Sequence, residues 1–141
     1  MLRNFFALLA GLLIGSGLNM IVVQINMLML FPAPVELDLS DPAEFNIYMA
    51  GLPAAAFAVA MFAHLLQSFV GGFITARLSG RYPLGMALLI GALSLIGGLN
   101  AMALIDGPDW MIAELPLYLV VAAFAGWLEV RRRSQRARKQ A

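Results

Sequence analysis

Cysteine is absent, histidine occurs once, and charged residues make up only 12% of the 141 positions. The first absence excludes disulfides, thiolate nucleophiles, iron–sulfur clusters and thiolate-rich zinc sites. A single histidine excludes bis-histidine haem. The scarcity of charge, about half that of a soluble domain, stands beside 62% hydrophobic residues. No water-soluble core of this size hides so much apolar surface, so lipid is the expected solvent. No phosphate loop, no serine–histidine–acid set at one depth and no carboxylate pair within the apolar runs is found. The chain is therefore read as non-enzymatic, with no catalytic residues, no metal ligands and no cofactor.

What is present is four long apolar runs. The first, Phe5 to Phe31, is much longer than a signal-peptide core, and a retained helix over 5–31 is expected. Pro32 and Pro34 then stop it. Asp41-Pro42-Ala43-Glu44 reads as a helix start, with an aspartate cap, proline at the first helical position and glutamate at the third. A short interfacial helix from about Pro42 to Ala50 should follow, with Phe45, Tyr48 and Met49 at the lipid boundary. The remaining spans are read at 53–78, 84–105 and 110–130, and 131–141 is read as a basic tail. The fold class is all-α, a four-helix transmembrane bundle with a short outer helix. The turn Ser79-Gly80-Arg81-Tyr82-Pro83 is short enough to make spans two and three antiparallel neighbours. Trp110 and Trp127 are ~26 Å apart along a helix, near the spacing of the two interfacial belts.

Charge is sorted by loop. All nine basic residues fall on one side: Arg3, Arg77, Arg81 and the run Arg131 to Lys139. Glu36, Asp38, Asp41, Glu44, Asp106, Asp109 and Glu114 are assigned to the other. Glu129 alone breaks the pattern and is read as a neighbour of Arg131 to Arg133. Because Lys and Arg are retained in the cytoplasm, a multi-pass protein with both termini inside is expected. The basic tail fits an anchor on acidic lipid rather than a nucleic-acid patch.

Membrane helices associate through small residues and hydrogen bonds. On span two, Ala60, His64, Gln67, Ser68, Gly71 and Thr75 share one side, and Val59, Phe62, Leu66, Phe69 and Phe73 take the opposite one. Span one offers Gly11, Gly15, Asn19 and Asn26, span three Ala87, Gly91, Ser94 and Gly98, and span four Ala122 and Gly126. Asn100 lies opposite Gly91 and fits none of these faces. The expected packing residues are Gly11, Gly15, Gly71, Gly91, Gly98 and Gly126.

His64 falls ~16 Å below the outer end of its span. An ionisable residue at that depth is a candidate for proton relay or switching, or a neutral imidazole bonded to a neighbouring helix. Ser16 and Ser94, at ~15–17 Å depth, are its expected partners. The candidate intramembrane polar site is His64, Gln67, Ser68, Asn19, Ser16 and Ser94. Small four-span exporters need an intramembrane carboxylate, and none is expected here.

The stretches FPAPVELDLSDPAEFNIYMAGLP, AHLLQSFVGGFITARLSGR, GALSLIGGLNAMALIDGPDW and LPLYLVVAAFAGWL resemble a group of bacterial four-helix membrane proteins. That group shares a Pro-x-Pro/Asp-Pro loop, a Ser-Phe-x-Gly-Gly segment in the second helix and a Pro-Trp turn before the fourth. Here the last turn is Gly-Pro-Asp-Trp, a departure from the pattern. No activity attaches to the group, so the resemblance implies a bacterial inner-membrane protein and nothing catalytic. The expected function is association, as an accessory subunit or self-assembling bundle in the lipid bilayer, with a protein partner or homo-oligomer and no nucleic acid. The alternative is a small transporter or channel with His64 in a polar path. Single cysteines at Asp38 and Gly107 should react with an impermeant thiol reagent in intact cells, and cysteines at Ser79 and Ser134 only after lysis. Labelling of the Ser134 position in intact cells would reverse the orientation.

Overall fold

The computed structural model describes residues 2–140. The architecture is all-helical: α1 (Leu2–Ile25), continued by a π-helical turn (Asn26–Leu30), α2 (Pro42–Ala50), α3 (Ala54–Leu78), α4 (Pro83–Leu104), a 3-10 turn (Asp109–Ala113) and α5 (Glu114–Gln140). Four helical stretches are long and apolar enough to cross a membrane. α5 does not stop at Val130; it continues through the basic tail to Gln140.

Local chemistry accounts for the ends. The Asp41 side chain accepts from the amides of Ala43 (2.7 Å) and Glu44 (3.3 Å), so the cap forms at the expected place. Glu44 does not close the box on Asp41; its carboxylate accepts from the amide of Asp38 instead. Asp38 in turn receives the hydroxyl and amide of Ser40, and these bonds hold its carboxyl below the usual range. Between α3 and α4, Tyr82 takes the left-handed conformation (φ 57°). Pro83 disfavours the right-handed helical region at the residue before it, and the tight reversal uses the left-handed alternative.

α3 is the axis of the bundle, packed against α1, α4 and α5, while α1 touches α4 only weakly. The two-sided reading of α3 is therefore too simple. Gly71 approaches α1, but the adjacent Gly72 packs near Ala87 and Ala122, and Phe69 stacks on Phe124 of α5 with ring centroids 6.2 Å apart. Phe62 does remain exposed. A helix with three neighbours cannot keep one bulky side for lipid.

Contacts are tightest toward the end that carries the bases. A Cβ on Gly11 would fall 1.9 Å from Thr75 Oγ1 and 2.5 Å from the Gly71 carbonyl, and one on Gly15 would fall 2.8 Å from the Gln67 carbonyl. Gly91 and Gly126 meet Ala122 and Leu84 or Ala87 as closely, and Gly98 lies under the Tyr118 ring. All six expected packing glycines are thus used within the chain. Gly17 and Gly97 meet nothing within 4 Å.

Polar ties close this same end. Arg3 Nε donates to the Leu78 carbonyl at 2.9 Å, bringing the start of α1 to the end of α3. Glu129 is 0% exposed and accepts from Arg132 Nε (2.6 Å) and Arg133 Nε (2.7 Å). Arg133 also donates to the carbonyls of Ala76 (2.7 Å) and Ser79 (2.9 Å), satisfying the C-terminal oxygens of α3. Asn100, which matched no packing face, is exposed and donates to the Ile96 carbonyl of its own helix.

Gly11→Ala should destabilise the bundle by about 1–3 kcal/mol through overpacking against α3, whereas Gly17→Ala should not. Unfolding in mixed detergent, followed by circular dichroism, measures the difference.

Candidate functional site

The π-helical turn sets one side of the site. The Phe31 amide donates to the Asn26 carbonyl, five residues back, at 2.8 Å. Asn26 is 5% exposed and its Nδ2 donates to the Ala56 carbonyl of α3 at 3.0 Å. A carbonyl only accepts, so the amide nitrogen must face Ala56, and Oδ1 is left buried without a partner. Tyr48 of α2 donates its hydroxyl to the Phe31 carbonyl at 2.5 Å, pinning α2 over the end of α1.

α3 supplies His64, with a side chain 26% exposed. Its Nδ1 lies 3.2 Å from Glu114 Oε2, and the Tyr118 hydroxyl donates to Glu114 Oε1 at 2.9 Å. Glu114 is the first residue of α5 and is only 2% exposed. This corrects two expectations. A carboxylate does lie inside the bundle, and it, not Ser16 or Ser94, is the partner of His64. Charge sorting groups Glu114 with the loop acids, although it falls within the expected 110–130 span. The 3-10 turn Asp109–Ala113 runs directly into α5, and the carboxylate at the first residue of α5 is buried in the helical bundle.

A signal for this was present in the sequence. Four and eight residues before Ala122 stand Tyr118 and Glu114, and four after Ala125 stands Glu129; all five are buried on one face. Extending the small-residue face to its polar ends would have found both glutamates.

The other expected site residues divide. Asn19, Gln67 and Ser94 line a cavity of about 230 Å³ that also touches His64 and Tyr118. Asn19 Oδ1 there is buried and unpartnered. Ser68 is fully buried and donates to the Tyr118 carbonyl at 2.9 Å, so it ties α3 to α5. Ser16 is exposed and lies outside the group.

A second cavity, of about 360 Å³, lies toward the acid-bearing loops. Its walls include Val23, Phe45, Met49, Phe57, Met102 and Met111, and its polar lining includes Asn26, His64, Asp109 and Glu114. Both cavities are lined by His64 and Ala101, so the imidazole stands where they adjoin. With Nδ1 directed at the Glu114 carboxyl, Nε2 is the ring nitrogen left for a further hydrogen bond. The arrangement can exchange a proton or hold a hydrogen-bond donor. Among the described residues there is no grouping of three or more His, Asp or Glu that could hold a metal ion.

No family model matches the chain, and neither a curated protein nor a solved structure matches it.

A double-mutant cycle tests the buried cluster. His64→Leu should cost more than the ~0.6–2 kcal/mol of a single interhelical hydrogen bond, because it leaves the carboxylate without one of its two donors. With Glu114→Leu, the cycle should give a coupling within ~0.5–3 kcal/mol in detergent unfolding. Additive effects would show that the pair does not form.

Proposed function

We propose that this chain is a small, non-enzymatic membrane carrier or channel in a bacterial inner membrane, with both termini in the cytoplasm and His64 on the solute path. The observation that carries the reading is the meeting of two cavities at one histidine, itself bonded to a buried glutamate. Charge sorting supports the orientation: the start of α1, the α3–α4 turn and the end of α5 share the basic end, while the wider cavity lies toward the acidic loops. On this reading the acidic end is open to a solute, and the glycine contacts near the basic end form the closed side. A rearrangement of α1, which is held mainly by α3, would open the far side.

Association with a second copy or a partner protein is the second reading. The six packing glycines no longer argue for it, since each is covered within the chain. What favours it is Gly17 and Gly97, which leave open ground on α1 and α4.

The chain has no native thiol, so engineered cysteines report alone. Cysteines at Ala60 and Ala101 should react with an impermeant thiol reagent applied from the acidic side, and a cysteine at Ala122 should not. A bundle in which none of the three reacts from either side has no water path, and association then takes its place.

A further inference from the structure

We propose that the larger cavity binds a small organic monocation, an amine or quaternary ammonium bearing apolar groups, with Glu114 as its countercharge. The inference rests on the solute-path reading and names the solute class.

The lining selects for charge and hydrogen-bond sense together. Asn26 Oδ1 is a buried acceptor with no partner, held in that orientation by the Ala56 carbonyl. Glu114 brings a buried carboxyl group whose oxygens, each engaged once by His64 or Tyr118, keep further lone pairs for a bound cation. Asp109 adds a second acid on the lining. No Lys or Arg borders the cavity, and all nine basic residues are elsewhere in the chain. An anion would meet two carboxylates and an orphaned carbonyl oxygen. A neutral apolar molecule would leave the Asn26 acceptor unsatisfied.

The walls select for an apolar body on that cation. Phe45 and Phe57 offer ring faces and edges, and Met49, Met102 and Met111 offer polarisable sulfur. Aromatic faces attract cations, most strongly where water is excluded, and methionine adapts to irregular shapes. The volume, about 360 Å³, is at the small end of the ~300–1,000 Å³ typical of ligand pockets. A hydrated metal ion has no use for such walls, and a phospholipid is too large for the space.

The test uses the full chain in mild detergent and three probes of matched shape: benzyltrimethylammonium, its uncharged carbon isostere neopentylbenzene, and phenylpropionate. Protection of a cysteine at Ala60 from thiol modification reads occupancy. The cation should protect saturably, and at least tenfold more strongly than either other probe. Glu114→Gln should weaken cation protection at least tenfold, while Asp106→Asn, at an acid off the cavity lining, should leave it unchanged. If Glu114→Gln fails to fold, Asn26→Asp serves instead: a third acid on the lining, in place of the orphan acceptor, should strengthen the cation's advantage. Equal protection by cation and isostere, preference for phenylpropionate, or no saturable protection by any probe overturns the proposal. Failure of the solute path reads differently: the cation still protects the Ala60 cysteine, while a cysteine at Ser94, beyond His64, stays unreactive from both sides.

Discussion

Among lipid tails there is little gain in bringing one apolar helix surface against another, so helices in such a medium are held by close backbone approach and by polar ties. Both are concentrated around α3. Gly11, Gly15 and Gly71 let α1 and α3 come close enough that a single added methyl would collide with a carbonyl or with Thr75. Gly91 and Gly126 do the same service between α4 and α5, where Ala87 and Ala122 are fully buried. The dispersion gained at such short range is what each small residue contributes, and it requires that no side chain intervene.

The burial of two glutamates follows from the same geometry. α5 places Glu114, Tyr118, Ala122, Ala125 and Glu129 on one face, and that face is the one turned to α3 and α4. At the basic end Glu129 is surrounded by arginines, one of which also satisfies the last carbonyls of α3, so a charged group becomes a helix-terminus clamp. At the other end Glu114 has no arginine. It is met by an imidazole, with Nδ1 at 3.2 Å, and by a phenol that donates to its other oxygen at 2.9 Å. One helix face thus carries a carboxylate clamped by arginines and another, tied to a histidine and a tyrosine, beside a cavity.

Tight packing and open space are divided along the bundle for a physical reason. Glycine and alanine predominate where helices cross near the basic end, whereas His64, Phe57, Met102 and Met111 hold the elements apart toward the acidic loops. α2 roofs that wider space, fixed by the hydroxyl of Tyr48 on the Phe31 carbonyl. The π-helical turn before it begins at Asn26, which lies on the glycine face of α1 and bonds across to α3.

Much of this was determined by the sequence alone. Four apolar runs of spanning length, a capped short helix beginning at Pro42, the gathering of bases at one end and the glycine positions on α1, α3, α4 and α5 all follow from local composition, periodicity and capping chemistry. These signals are short-range, and each depends on residues within a turn or two of one another. What only the tertiary structure decided was which faces meet. Glu114 was legible as an acid near a turn, and its burial depended on which face of α5 meets His64 on α3. Ser16 and Ser94 shared a depth with His64 and yet only Ser94 reached its cavity, because depth along a helix says nothing about rotation relative to a neighbour. The two-sided reading of α3 failed for the same reason: the number of helices packed around it is a property of the whole bundle, and no periodicity within one segment records it.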